Sequence, residues 1–185
     1  RNPAYTGSIF TDNHPYVTEA YKGAEKAVER LLEEEEYETV PTDKGRLRIH
    51  SGHGKGEREE NIRVASYFAN KYGYDIDLLN NPDNVKSADS LNRTLGYEEE
   101  YKVSRTPSKN SIDRLLRDAR KQADHVVIWV DSDISVEELS AALRSRVRRS
   151  ENIKTVTIVI NGKDIRLDRA NILSESFKIR LADLK

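Results

Sequence analysis

Residues 97–130 read YEEEYKVSRTPSKNSIDRLLRDARKQADHVVIWV, and this stretch sets the class of the fold. Residues two apart on a strand share a face. Over Tyr97–Val103, Tyr101 and Val103 therefore point one way, toward a core, while Glu98, Glu100 and Lys102 project from the opposite face. After a loop at Thr106–Lys109, the residues Ile112, Leu115, Leu116, Ala119 and Ala123 recur at helical spacing. Asn110 or Ser111 is placed to cap that helix. Val126–Val130 is a continuous apolar run, the pattern of a central strand covered on both faces.

Working outward, Asp131–Asp133 turns the chain into a helix with a stripe of Val136, Leu139, Ala142, Leu143 and Val147. Thr155–Ile160 reads as a strand. Asn161-Gly162 joins it to Lys163–Leu167 in a hairpin, the turn chemistry that supplies two left-handed residues. Upstream, Asp89–Leu95 is expected to pair with Tyr97–Val103 around Gly96, and Tyr74–Leu79 alternates as a further strand. Residues 57–72 read as a helix whose face carries Asn61, Val64, Ala65, Phe68, Ala69 and Tyr72, ended by Gly73. The order α-β-β-β-α-β-α-β-β predicts an α/β sandwich around a mixed sheet.

The N-terminal third is organised differently. Residues 1–15 have no period and read as a loop or arm. Val17, Ala20, Tyr21, Ala24, Ala27, Val28, Leu31 and Leu32 follow a helical period before the acidic run Glu33–Glu36. Residues 39–56 hold Pro41, Gly45, Gly52, Gly54 and Gly56 and read as a linker. This places an N-terminal helical extension at 1–53 and the main domain at 54–185.

Composition bounds the function. The 185 residues are enough for one domain and an extension. No run approaches the roughly 18 apolar residues of a membrane span, and there is no secretory core, so no membrane partner is expected. Without a cysteine, disulfides, thiolate catalysis and Cys-based zinc sites are excluded. A chain that starts at Arg1 and contains no Met is expected to be a piece of a longer polypeptide. The net charge of −1 hides an asymmetry: 13 Lys/Arg face 20 Asp/Glu in residues 1–100, and 18 face 12 in residues 101–185. The basic half can face a phosphate backbone or be an ordinary solvated surface.

The chemistry concentrates on Glu98–Lys102. A hairpin at Gly96 brings Asp89 near Glu100, so two carboxylates and a lysine converge. Hydrolysis of a phosphodiester needs the phosphate charge neutralised and a nucleophilic water at neutral pH. One or two carboxylates hold a hard cation such as Mg²⁺, which polarises the phosphoryl oxygen and acidifies its water. A lysine beside it orients that water or stabilises the developing charge. The competing reading is a solvated edge strand with an ordinary Glu–Lys pair, yet three consecutive Glu are poor strand formers. His50 and His53, three apart among glycines, could bind a metal or act as an acid, but they read as part of a loose loop, and the four His form no ligand set. Gly52-His53-Gly54-Lys55-Gly56 lacks the spacing of a phosphate-binding P-loop.

Lys86-Ser87-Ala88-Asp89 followed by Glu100-Tyr101-Lys102 resembles the PD-(D/E)xK signature of restriction-endonuclease-like nucleases, with Ala88 in place of the proline. Together with Tyr72-Gly73-Tyr74-Asp75-Ile76, Asn110-Ser111-Ile112 and Gln122-Ala123-Asp124, it is most similar to the C-terminal tRNA-nuclease toxin domains of CdiA, the contact-dependent growth inhibition proteins. Related domains also occur attached to phage head proteins. The resemblance covers about residues 54–160 and implies a restriction-endonuclease-like sandwich, a central mixed sheet flanked by helices. It implies a metal-dependent endonuclease acting on RNA, with tRNA as the expected substrate; the alternatives are a DNA-cleaving relative or a catalytically inactive phage-head or toxin-associated binding module of the same fold. Mg²⁺, or Mn²⁺ or Zn²⁺, would be held by Asp89 and Glu100, with Lys102 assisting. A first-helix Glu completes such sites: Glu57 shares the face of Asn61 and Phe68 and is preferred, with Glu60, which points away, as the alternate. Arg105, Lys109, Arg114 and Gln122 are expected on the substrate, although a solvated helix also accounts for the basic run. Gln122 follows Leu115 by seven residues and so falls on the buried face of that helix. The resemblance further implies a cognate immunity protein and delivery into the cytoplasm of a target bacterium.

Overall fold

The computed structural model describes residues 15–54, 56–82 and 85–185, with side chains from residue 18 onward. The loop or arm expected over 1–15 lies, Pro15 apart, outside the described residues. The chain divides into two compact units, Arg1–Glu38 and Thr39–Lys185. The first contains helix α1 (Pro15–Glu35), on which Tyr21, Val28, Leu31 and Leu32 are exposed.

Eight strands form one mixed sheet, ordered β1 (Tyr37–Val40), β2 (Arg46–His50), β3 (Asp75–Leu78), β4 (Ser90–Asn92), β5 (Tyr97–Ser104), β6 (His125–Val130), β7 (Thr155–Ile160) and β8 (Lys163–Asp168). Strands β2/β3, β5/β6 and β6/β7 pair in parallel, whereas β3/β4, β4/β5 and β7/β8 pair antiparallel. Helix α2 (Arg58–Tyr72) packs Val64, Ala65 and Phe68 on one face, against Leu47, Ile49, Ile76, Leu78, Tyr101, Val127 and Val159. Helices α3 (Lys109–Ala119) and α4 (Val136–Arg149) cover the other face over Val126, Ile128, Val156 and Ile158. Alternate residues of β6 and β7 thus enter opposite cores, which is why both strands are apolar throughout. The short helix α5 (Arg169–Leu173) follows β8. The result is the expected mixed α/β sandwich.

The Asn161-Gly162 turn has φ of 52° and 73°, the two left-handed residues a tight hairpin requires. Gly73 ends α2 with φ 69°, its N–H donating to the Ala69 carbonyl. Three details differ from the sequence expectation. Ser108, rather than Asn110 or Ser111, caps α3, accepting from the Ser111 N–H at 3.2 Å. That helix ends at Ala119, so Ala123 and Gln122 lie beyond it and the helical phase used for Gln122 does not apply. The boundary falls at residue 38 rather than 53, because part of the Gly-rich linker folds as β2 and buries Leu47 and Ile49 in the α2 core.

β2 also carries an ion-pair network. Arg48, register partner of Asp77, donates from Nε to Asp77 Oδ1 at 2.8 Å and from a terminal nitrogen to Oδ2 at 2.7 Å. Arg93 adds a 2.6 Å bond to Oδ2. Asp77 is fully buried. Burial alone would raise its carboxyl, but Arg48 and Arg93 outweigh it and hold it below the usual range.

Candidate active site

Asp89 sits one residue before β4, and its side chain explains why the strand starts after it. Its carbonyl accepts from Leu79 N–H at 2.9 Å, while Oδ2 accepts from Tyr101 N–H at 2.9 Å. The carboxylate thus takes up a backbone donor of β5 and is fixed against that strand. The β4/β5 register pairs Ser90 with Glu99, so Asp89 lies level with Glu100. Lys102, two residues on, shares the face of Glu100, and its Nζ lies 3.4 Å from Glu100 Oε2.

Asp89 and Glu100 are both buried at the floor of a polar cleft of about 330 Å³, which Glu57, Asn81, Ser87, Lys102 and Gln122 also line. Burial first, and then the Asp89 carboxylate, pushes Glu100 well above the ordinary carboxylate range; Lys102 opposes both. Glu100 Oε1 and Gln122 Oε1 are buried without a hydrogen-bond donor. Orphaned acceptors of this kind are unfavourable. Two neighbouring carboxylates relieve the strain by sharing a proton or a cation, and an all-oxygen donor set suits a hard divalent ion. Among the described residues no three His, Asp or Glu side chains converge as a ligand set. An ion here would rest on Asp89 and Glu100 and complete its shell with water and phosphate oxygens, the usual habit of Mg²⁺.

The structure separates the two candidate helix acids. Glu57, at the N-cap of α2, lines the cleft. Glu60 instead pairs with Arg105, so Arg105 is engaged by a carboxylate. Gln122 reaches the cleft from the turn after α3. Lys109 and Arg114 are exposed on α3 and do not line it.

Asn81 lies in a segment legible only as turn-rich, and no local pattern marks it. Its Nδ2 donates to Asp89 Oδ1 at 2.9 Å, and its Oδ1 accepts from Gly54 N–H. His53 is likewise no part of a loose loop. It is 2% exposed, with Nδ1 2.6 Å from the Leu79 carbonyl and Nε2 2.9 Å from Asn61 Nδ2. A carbonyl only accepts, so the proton is on Nδ1 and Nε2 accepts. Burial pushes this imidazole's pKa down, against the Leu79 carbonyl and Asp89, which suits a neutral structural role. The glycine-rich segment is therefore docked beside Asp89 by two side chains. Replacing Asn81 with Ala is expected to lower divalent-ion affinity, or any activity of the cleft, by about 10–100-fold with the fold intact; ion titration alongside circular dichroism checks this.

On the opposite face of β5, Glu99 is buried and takes a long 3.4 Å bond from Asn92 Nδ2. Burial raises its pKa to about 7, against Asn92 and Arg166. The folded chain thus retains a proton that the unfolded chain, titrating near 4.5, has released. The Glu99 contribution to stability is expected to fall as pH rises from 4.5 through 7 and then level off, while Glu100, raised further, prolongs the overall decline. The rise corresponds to about 3 kcal/mol. Urea midpoints at pH 5 and pH 8 measure the loss, and Glu99→Gln is expected to abolish this component.

Fold and cleft together define a mixed α/β domain with a buried carboxylate pair and a lysine at the end of its central strands. The family described as the contact-dependent growth inhibition CdiA C-terminal domain matches residues 99–165, a span that includes Glu100, Lys102 and Gln122 but begins after Glu57 and Asp89. Among solved structures, a chain of the CdiA-CT/CdiI toxin and immunity complex from Burkholderia pseudomallei is similar at 19% identity and a TM-score of 0.48, over 60% of this chain and 83% of that chain. No curated protein matches the sequence. Among the described residues no helix is long and apolar enough to cross a membrane.

Proposed function

We propose that the domain is a toxin-type nuclease of the PD-(D/E)xK kind, hydrolysing phosphodiester bonds in RNA, with tRNA as the substrate class. The observation that carries this reading is the convergence of Asp89, Glu100 and Lys102 in one cleft, with Glu57 on its rim. The similarity of residues 99–165 to the CdiA C-terminal family supports the toxin assignment.

Asp89 and Glu100 would hold a divalent cation, Mg²⁺ in the first instance. Bound there, it would supply Lewis-acid neutralisation of the phosphate and a more acidic water. Asn81 and the Tyr101 N–H keep the Asp89 carboxylate oriented. Lys102 positions the attacking water and offsets charge developing on the phosphate. Oxygen from water bonds phosphorus as the bond to the leaving sugar oxygen breaks. The water proton passes to solvent, and the leaving oxygen takes one up. The exposed cations Lys109, Arg114 and Arg117 on α3 provide a phosphate-binding surface. A toxin of this family acts after delivery into a target cell and is held inactive by a cognate immunity protein; we assign that partner to the cleft or to the basic face of α3.

The test incubates the protein with total tRNA and with plasmid DNA, in Mg²⁺ and in EDTA. Cleavage of tRNA in Mg²⁺ and none in EDTA supports the reading. Cleavage of plasmid alone makes the domain a DNA-cleaving relative. No cleavage of either, with either metal condition, makes it a binding module and removes the enzymatic reading.

A further inference from the structure

A second cavity, of about 280 Å³, opens on the α2 face of the sheet, away from the face that carries Glu100 and Lys102. Tyr72, Tyr74, Glu99, Arg166 and Lys185 are among its lining residues. Its walls are built to hold something flat. Tyr72 and Tyr74 stack on one another with centroids 5.1 Å apart and planes 22° apart, and Phe68 lies nearly parallel to both. Tyr72 is fixed by its hydroxyl, which donates to Asp164 Oδ2 at 2.6 Å. The other oxygen of Asp164 accepts from Tyr67 and from Lys71. That carboxylate is thus fully engaged and its charge is neutralised by Lys71. The remaining buried acid is Glu99, bordering the cavity from β5. Arg166, stacked over the Tyr97 ring at 5.0 Å, and Lys185 bring positive charge to the lining, with Asp183 beside them.

A ligand suited to this set is planar, offers N–H donors on one edge and carries negative charge at a distance from that edge. We propose that the cavity binds a guanine nucleotide, with the base against Tyr72 and Tyr74, its N1–H and N2–H₂ edge donating to Glu99, and its phosphate drawn to Arg166 and Lys185. Single-stranded nucleic acid is generally read in this way, by stacking on aromatic rings and hydrogen bonds to the pairing edge. The chemistry of the bases selects among them. Adenine turns the lone pair of N1 toward a carboxylate. Uracil offers one donor flanked by two carbonyls. Cytosine offers its amino group beside an acceptor. Only guanine presents two adjacent donors to two carboxylate oxygens. An arginine side chain of a protein partner shares the donor edge, but it is itself cationic, and Arg166 and Lys185 oppose it. The same nucleotide can be free or can be an unpaired residue of an RNA strand.

The proposal concerns binding and stands apart from the cleavage reading. Calorimetric titration of the whole chain in EDTA at pH 8 tests it, with GMP, AMP, CMP, UMP, guanosine, and short RNAs carrying one unpaired guanine or adenine. GMP is expected to bind at least about tenfold tighter than AMP. Glu99→Gln is expected to remove that preference. Arg166→Ala, at an exposed side chain, is expected to bring GMP down to the affinity of guanosine while leaving the fold unchanged. Lys102→Ala, on the other face, is expected to bind GMP as the unaltered chain does. Strong binding of the guanine-bearing RNA with weak binding of GMP places the base in a strand; comparable binding of both identifies the free nucleotide. Equal binding of GMP and AMP overturns the proposal. So does a preference that survives Glu99→Gln, or binding of acetylarginine amide in the absence of any nucleotide binding.

Discussion

Asp89→Asn is expected to lower RNA cleavage in Mg²⁺ by a factor on the order of 10²–10³, with the fold intact. The size of the effect follows from where the group sits. Asp89 is buried, held by Asn81 on one oxygen and by a backbone N–H of β5 on the other. The amide keeps the shape but only one acceptor oxygen, so one of these two donors loses its bond, and the charge that balances a divalent ion is removed. Lys102→Ala is expected to act on the same scale, through the rate of the chemical step more than through substrate affinity, because the lysine touches the reacting water in this account. Glu60→Ala is the contrast: its carboxylate pairs with Arg105 outside the cleft, and the change in cleavage is expected to be small. Steady-state kinetics on one tRNA substrate separate the three variants.

The second large effect is on stability. Asp77→Ala is expected to destabilise the domain by about 3–5 kcal/mol, because it breaks a buried ion pair by removing one of its partners. Arg48 is 5% exposed and meets Asp77 through two short bonds, so its charge cannot simply turn to water. Arg93→Ala removes a half-exposed partner of the same carboxylate and is expected to matter less, since solvent already screens that pair. Urea denaturation at neutral pH gives both values. Equal losses for Asp77→Ala and Arg93→Ala would show that the Arg48 contact carries little.

The architecture from α2 to β8 was legible because its elements differ in period. Val126–Val130 and Thr155–Ile160 are apolar at every position since each strand feeds two cores, whereas the α2 and α4 stripes repeat every three to four residues. What could not be read was β2. Arg46, Arg48 and His50 alternate with Leu47 and Ile49, but glycines and a proline surround them, and the reason a charged residue is tolerated at 48 is Asp77, 29 positions away. Long-range compensation of that kind leaves no local mark. Gly45 adds to the disguise. With φ at 66° it resembles a loop glycine, yet a Cβ there would strike the Tyr74 carbonyl, so it belongs to the packing of β2 beside the end of α2.

The cleft shows the same division. Asp89, Glu100 and Lys102 were found from strand alternation and one hairpin, which need only local rules. Glu57 was separated from Glu60 by helical phase, and the two now lie in the cleft and in an ion pair with Arg105, respectively. Asn81 and His53 act through contacts with Gly54, Asp89, Leu79 and Asn61, which depend on how loops meet at the sheet end. Gln122 reached the cleft for a different reason from the one its spacing suggested, since α3 stops three residues before it.

The proposed chemistry requires a divalent ion held between Asp89 and Glu100. Titration of the metal-free protein with Mn²⁺, followed by the electron paramagnetic resonance of the free ion, measures this without reference to any substrate. One ion bound per chain, with binding lost in both Asp89→Asn and Glu100→Gln, is the result expected. Binding that persists in both variants, or no binding by the unaltered chain at millimolar Mn²⁺, contradicts it.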